Sequence, residues 1–204
     1  MKTLISLLLF FSFILANNLN IKESYYESYN YEKMGDYKDA IKVLIPIYEK
    51  YPNGYTINLR LAYLFFLNKN YQNAIKHYKK ASAILPYSLE PKLGLMRVYL
   101  AIGDYKKLYE IGDIVLKTDY YNYYGNYYYA LGFYYNKKFK SALNLVNKML
   151  AIYPTDIMYL TLLGEIYINI DKNKAMKIFK ELIILDPNNI IAKKYLKWFW
   201  FMIQ

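Results

Sequence analysis

The sequence contains no cysteine and only one histidine, His77. Without cysteine the chain forms neither disulfide bonds nor thiolate metal sites, and a single histidine does not supply the usual zinc sites or Cys–His and Ser–His nucleophile pairs. The helical phase places His77 on an outward-facing, lysine-rich stretch, which predicts a surface histidine. A glycine-rich phosphate loop is also lacking. We therefore expect no catalytic residue, no metal site, no cofactor and no enzymatic activity.

An apolar run at residues 4–15 is too short for a comfortable membrane span, which needs about 20 residues. Lys2 precedes the run and Ala16 follows it, which is the layout of a secretory signal peptide at residues 1–16. Ile14 is bulkier than the usual residue near a cleavage site, so an uncleaved N-terminal anchor is the alternative. In either case we expect an exported chain, in the periplasm or cell envelope and in part membrane-associated.

Arginine is scarce and occurs only at Arg60 and Arg97, while lysine supplies most of a formal net charge of +11. The lysines are spread along the chain, which favours a diffuse surface charge over a nucleic-acid site. An exported chain also meets little nucleic acid, so we expect none as a partner. Anionic lipid, an anionic cell-wall polymer or an acidic protein are the alternatives that this charge leaves.

The chain contains 28 tyrosines, and aromatic residues make up 20% of it. Tyrosine buries a large ring yet keeps a polar tip, so it suits half-wet contact surfaces. This composition indicates a surface for contacts with other molecules more than it indicates chemistry.

Aromatic residues recur at an interval of 34 residues, and other marks keep the same register. The aromatic positions are Tyr37, Tyr71, Tyr105 and Phe139. Small residues follow three places later at Ala40, Ala74 and Ala142, and prolines lie at Pro52, Pro86 and Pro154. A fifth copy, shortened by one residue, has Ala175 and Pro187. The small residue allows two helices to approach closely, and proline ends the second helix.

With these marks the chain resembles the tetratricopeptide repeat family over residues 21–189. The resemblance implies an all-α fold, a right-handed α-solenoid of about five helix–turn–helix repeats with a C-terminal capping helix at 190–204. We place the array at 17–189, with repeats at 21–54, 55–88, 89–122, 123–156 and 157–189. In the third repeat, Leu108 and Gly112 depart from the pattern, and we expect looser helix packing there. Pro46 should kink the second helix of the first repeat.

In this family the first helices of the repeats line a concave groove that binds peptides or partner helices. The resemblance therefore implies a protein-binding scaffold or assembly factor, whose partner is another protein or peptide. The groove positions that we expect to bind the partner are rich in Tyr and Arg, the residue types enriched at binding hot spots. They are Tyr25, Tyr29, Arg60, Tyr63, Phe66, Arg97, Tyr124, Tyr127, Tyr128 and Tyr134. Packing of these tyrosines between repeats, without a ligand, is the alternative, and glycan binding is a further one.

The C-terminal segment is unusually apolar for a capping helix, which normally turns a polar face outward. Ile191, Tyr195, Trp198 and Met202 form a stripe that can dock on the fifth repeat. Trp198, Trp200, Phe201 and Ile203 suggest a peripheral membrane contact or a subunit contact. A membrane-peripheral structural protein is thus the alternative function, and a fully docked cap is the plainer interpretation of the segment.

Overall fold

The computed structural model describes residues 20–203, with side chains as far as Trp198, so the predicted signal peptide lies outside the described residues. In this part the chain forms twelve α-helices. Their bounds are α1 Ile21–Lys33, α2 Tyr37–Lys42, α3 Ile45–Lys50, α4 Tyr55–Leu67, α5 Tyr71–Ile84, α6 Glu90–Ile102, α7 Tyr105–Thr118, α8 Tyr123–Tyr135, α9 Phe139–Leu150, α10 Ile157–Ile168, α11 Lys172–Leu185 and α12 Ile190–Ile203. No helix among residues 20–203 is both long enough and apolar enough to cross a membrane.

The chain divides into two compact units, residues 1–91 and 92–204. In the first unit, α1 packs on α2, and α4 packs on α2, α3 and α5. In the second unit, each helix from α7 onwards packs on the next, and α8 also contacts α10. This succession of short antiparallel helices confirms the predicted all-α fold class.

The turns inside the first four repeats share one backbone conformation. A residue with positive φ precedes the second helix each time, and the four residues are Gly35, Lys69, Gly103 and Lys137. The next residue caps the helix through its side chain at Asp36, Asn70 and Asp104, whereas Lys138 makes no such hydrogen bond. The fourth repeat therefore combines a strained lysine with an uncapped helix end.

The double substitution Lys137→Gly/Lys138→Asp should raise the free energy of unfolding by about 1–2 kcal/mol, because it relieves the left-handed lysine and supplies an N-cap. It copies the pair found at Gly103 and Asp104. Urea denaturation followed by circular dichroism measures the change. As a control, Lys69→Gly should give a smaller gain, because Asn70 already caps its helix. An unchanged midpoint for the double variant would contradict this explanation of the turn.

Pro46 interrupts the second helix of the first repeat, as expected. Helix α2 ends at Lys42, residues 43–44 form a turn, and α3 begins at Ile45 with Pro46 in its first turn. In the first turn of a helix the missing N–H of proline leaves no hydrogen bond unmade. The helix thus restarts at the proline and continues to Lys50.

The expectation of loose packing in the third repeat is wrong. Leu108 and Met96 are both fully buried. A Cβ added to Gly112 would lie 3.0 Å from the Met96 Cε atom, and one added to Gly132 would lie 2.7 Å from Leu108 Cδ2. Gly112 makes room for Met96, and Gly132 makes room for Leu108. The helices therefore pack closely, although the large and the small residue have changed places relative to the other repeats.

His77 is buried, so its prediction as a surface residue is also wrong. Its side chain is 5% exposed, and its Nδ1 lies 2.9 Å from Asn58 Oδ1. The ring stacks on Phe65 at 5.4 Å between centroids and meets the edge of Tyr48 at 4.9 Å. The neighbouring lysines misled the sequence argument, because a residue between two exposed lysines of a helix can still point inward. Burial, with the charges of Lys76 and Lys80, lowers the pKa of His77 to about 4.

Stability should fall between pH 6.5 and pH 4, because unfolded His77 binds a proton in this range and folded His77 does not. One proton corresponds to a slope of at most about 1.4 kcal/mol per pH unit. His77→Gln should be less stable than wild type near pH 7 and should lose less stability on acidification. The measurement is urea denaturation at pH 7.0, 6.0 and 5.0. Parallel pH profiles for the two proteins would show that His77 is not the titrating group.

Candidate partner-binding surface

Helix α8 carries tyrosines on most of its surface because its inward side is occupied by small residues. Asn122 caps the helix by accepting a hydrogen bond from the Gly125 amide at 2.8 Å. The fully buried positions are Gly125, Asn126, Ala130 and Gly132. A Cβ on Gly125 would lie 2.7 Å from Val115 Cγ1, so α7 packs against the helix backbone itself. The rings of α8 are therefore displaced to its flanks and its outer face.

Four partly exposed tyrosines lie along one flank of α8. The Tyr124 and Tyr128 rings stack with centroids 6.1 Å apart, and Tyr127 lies 6.2 Å from Tyr128. Tyr134 follows two turns later and lies 5.2 Å from Tyr135. Spacings of three, four and seven residues place these side chains on the same side of a helix. We call Arg97, Tyr124, Tyr127, Tyr128 and Tyr134 the tyrosine surface.

Arg97 of α6 contributes the basic group of the tyrosine surface. The Tyr128 side chain is hydrogen-bonded to Arg97. Burial raises the pKa of Tyr128, and the guanidinium charge opposes this rise. Both residues are only partly buried, and Tyr124 beside them is 52% exposed. The two rings and the guanidinium thus place aromatic faces beside a positive charge on this side of α8.

Tyr127 and Tyr134 extend this surface towards the core of the second unit. Both pack against the buried cluster that contains Ala130 and Tyr159, and Tyr127 meets the edge of Tyr159 at 5.5 Å. Burial, together with the Glu165 carboxylate, raises the pKa of each phenol to about 12. The two hydroxyls therefore stay protonated near neutral pH and can donate hydrogen bonds.

Glu165 of α10 and Asn169, which caps the C-terminus of that helix, border the tyrosine surface at its Tyr134 end. The Asn169 side chain donates to the Glu165 main-chain oxygen at 3.0 Å and is also hydrogen-bonded to Tyr134. Burial raises the pKa of the Glu165 carboxyl, and the nearby Lys194 ammonium opposes this effect. In the repeat pattern Glu165 and Asn169 stand at positions equivalent to those of the predicted groove residues. The structure places them beside the tyrosines of α8.

Three of the predicted groove residues of the first unit, Tyr25, Tyr29 and Arg60, lie together around the Arg60 guanidinium. The guanidinium is 7% exposed and pairs with Glu32, and it also donates to Ser28 Oγ at 3.1 Å. It lies 3.9 Å from the centre of the half-exposed Tyr29 ring, with partly buried Tyr25 nearby. These contacts hold α1 on α4 and give Arg60 an internal carboxylate partner.

Tyr63 and Phe66 complete the predicted set in the first unit. Both side chains are partly buried, and the Phe66 ring lies 6.1 Å from the Tyr71 ring. The two residues lie three positions apart on α4 and so share one side of that helix.

The C-terminal helix docks on the fifth repeat through the first half of its apolar stripe. Tyr195 stacks on the fully buried Phe179 with centroids 4.9 Å apart, and Ile191 packs against the same cluster. Trp198 is 38% exposed, and the Lys172 ammonium lies 5.2 Å from its ring. The side chains of Trp200, Phe201 and Ile203, which were predicted to contact a membrane or a second subunit, lie outside the described residues.

Among residues 20–203, no group of three or more His, Asp or Glu side chains is placed to hold a metal ion. The chemistry that the tyrosine surface offers is aromatic contact, hydrogen bonding by neutral phenols and one charge of each sign. These are the means by which proteins bind other macromolecules.

Residues 159–189 match the tetratricopeptide repeat family. A tetratricopeptide repeat protein of Parabacteroides merdae is 17% identical, with a TM-score of 0.74 over 89% of this chain and 73% of that one. A thermophilic protein of the same type from Thermus thermophilus is 13% identical, with a TM-score of 0.70 over 86% and 97%. MamA of Desulfovibrio magneticus is 17% identical, with a TM-score of 0.70 over 83% and 96%. The comparison with curated proteins finds no match.

The family match thus covers the fifth repeat, and the structural likenesses show that the chain has the fold of tetratricopeptide repeat proteins. The repeats of such proteins generally serve as scaffolds for contacts with other proteins or peptides. Because one fold serves many functions, the particular role must be argued from this chain's own surface.

Proposed function

We propose that this protein is a non-enzymatic scaffold or assembly factor of the cell envelope that binds a segment of a partner protein on its tyrosine surface. The observation that carries the proposal is the half-exposed run of rings on α8 beside Arg97, in a place where a helix facing only water would carry small polar side chains. Tyrosine offers a large contact area for little loss of side-chain entropy, since it has only two rotatable side-chain bonds.

The envelope location is the part of the proposal that rests on the N-terminal sequence. The run at residues 4–15 has the pattern of an export signal. Fractionation of cells that produce the untagged protein tests this part. Recovery with the cytosol would reject the envelope role and leave the binding proposal to be judged separately.

Affinity capture from crosslinked envelope fractions tests the binding itself. The surface variant is Tyr124→Ala/Tyr128→Ala, and the matched control is Tyr26→Ala/Tyr87→Ala, which removes two tyrosines that are 69% and 95% exposed elsewhere. Wild type and control should recover the same one or two proteins. Recovery by the surface variant should fall by about tenfold or more, as for hot-spot residues.

Equal recovery by all three proteins would reject the tyrosine surface as the binding site. Circular dichroism of each variant should show an unchanged melting transition, because Tyr124 is half exposed and Tyr128 is only partly buried. This check separates loss of contact from loss of fold.

A further inference from the structure

We infer that Glu165 and the tyrosines around it receive a lysine or arginine side chain of the bound partner segment, an inference that rests on the function proposed above. Only the Glu165 position is meant, because the chain has a formal net charge of +11 and on the whole repels cations. It arises from the placement of one partly buried carboxylate among aromatic rings.

Glu165 lacks an internal cation even though the chain has 27 lysines and arginines. Among residues 20–203 the ion pairs within 4.0 Å belong to other acids, namely Glu32, Asp104 and Asp171. Lys194 lies near enough to affect the Glu165 carboxyl but forms no ion pair with it. A partly buried carboxylate without a partner is unfavourable for the fold, so a role in binding offers a reason for its presence.

The surroundings of this carboxylate suit an organic cation. Tyr127 and Tyr134 of α8 pack on the cluster that contains Leu162 and Ile166, the neighbours of Glu165 along α10. The Glu165 charge also raises the pKa of Tyr135 and of Tyr195 on α12. Tyrosine faces attract ammonium and guanidinium groups, and a carboxylate neutralises their charge. The phenols stay protonated, so they add hydrogen bonds without adding charge that would attract metal ions.

The tyrosine surface then has a positive and a negative end. Arg97 adjoins Tyr128, and Glu165 adjoins Tyr134, six residues further along α8. Six helical residues span roughly 9 Å, which is about three residues of an extended peptide. The basic residue of the preferred segment therefore binds at the Tyr134 end of the surface, away from the Arg97 charge, and this fixes the orientation of the segment.

If Glu165 serves binding and not folding, replacing it should not destabilise the free protein at neutral pH. The pKa of its carboxyl is raised in the folded chain, so the folded state holds the proton more tightly than the unfolded state does. The resulting stabilisation is present in acid and is lost as pH rises through the folded pKa. At pH 7, Glu165→Gln should therefore melt at the same temperature as wild type or at a higher one.

The test is selection of a random twelve-residue peptide library displayed on phage, with wild type, Glu165→Gln and Glu181→Gln as targets. Glu181 is exposed on α11, so the control makes the same change in net charge away from the surface. Wild type and control should enrich peptides with a lysine or arginine among apolar residues. Glu165→Gln should lose that preference, and a selected peptide should bind it about tenfold more weakly, the usual effect of removing a hydrogen bond to a charged group.

Replacing the basic residue of the selected peptide by glutamine should weaken its binding to wild type but not its binding to Glu165→Gln. Peptides selected by wild type without basic residues, and bound equally by Glu165→Gln, would overturn this inference while leaving the tyrosine surface as a binding site. Failure of wild type to select any peptide would overturn the inference together with the proposed binding of segments.

Discussion

Gly164→Ala should lower the free energy of unfolding by about 2 kcal/mol, although alanine is the better helix former by about 1 kcal/mol. An added Cβ would lie 2.5 Å from Cε1 and 2.7 Å from Cζ of Phe179. The Phe179 ring is fully buried and stacks on Tyr195, so it cannot move away without disturbing α12. The steric effect therefore outweighs the gain in helix propensity.

Urea denaturation of four proteins tests this expectation: wild type, Gly164→Ala, Phe179→Leu and the double variant. Phe179→Leu removes the atoms that the new methyl group would strike, so alanine at 164 should cost less than about 1 kcal/mol in that background. Equal or greater stability of the single Gly164→Ala variant would show that α10 and α11 do not approach as closely as described.

Met96→Ala should destabilise the protein by about 3 kcal/mol, because it leaves a cavity at a fully buried position. Gly112→Val should also be destabilising, since even a Cβ there would lie 3.0 Å from Met96 Cε and 3.1 Å from Tyr129 Cδ1. Together the two substitutions recreate the pair Ala130 and Val146, which are both fully buried in the fourth repeat. The double variant should therefore be more stable than the sum of the two single effects indicates.

The measurement is a double-mutant cycle on the free energies of unfolding, with an expected coupling of more than about 1 kcal/mol. Additive effects would mean that the residues at 96 and 112 do not compensate for each other. In that case the presence of Met96 and Gly112 in the third repeat, where the fourth has Ala130 and Val146, would need another explanation.

The substitutions at Gly164 and at Met96 and Gly112 probe the same feature, the point where the two helices of a repeat cross. At the same register the second repeat has Ala62 and Tyr78, the third has Met96 and Gly112, and the fifth has Gly164 and Phe179. A small side chain on one helix is matched by a large one on the other, so the helices can keep a close approach. The sequence alone shows this exchange once both helices are compared, and the expectation of loose packing was wrong because Leu108 and Gly112 were considered without the residues opposite them.

Repeat number and helix order follow from the sequence because they depend on local marks. Proline ends helices, and polar residues such as Asp36 and Asp104 cap them, wherever they occur along the chain. The burial of His77 was missed although the pattern carries it, because His77 lies at helical spacing from the buried Ala74, Tyr78 and Ala81. Its hydrogen-bond partner Asn58, 19 residues away, could not be predicted from the pattern.

The candidate surface was likewise predictable from the sequence only in part. Periodicity predicts that Tyr124, Tyr127, Tyr128 and Tyr134 share one flank of a helix, and their ring contacts agree with that arrangement. Arg60 and Arg97 were indistinguishable in the sequence, and the structure shows an ion pair of Arg60 with Glu32 and a hydrogen bond of Arg97 with Tyr128. Charge pairing between helices decides such cases, and it depends on rotamers that a sequence pattern does not specify.

The central claim is that a partner segment lies directly on the tyrosine surface, and site-specific photocrosslinking in cells tests it most directly. A benzoylphenylalanine placed at position 128 keeps an aromatic ring where Tyr128 stands, and positions 26 and 87 serve as exposed controls. The account predicts one dominant crosslinked protein from position 128 and none from the controls. Adducts from position 26 or 87 with none from position 128 would place the partner elsewhere and contradict the account.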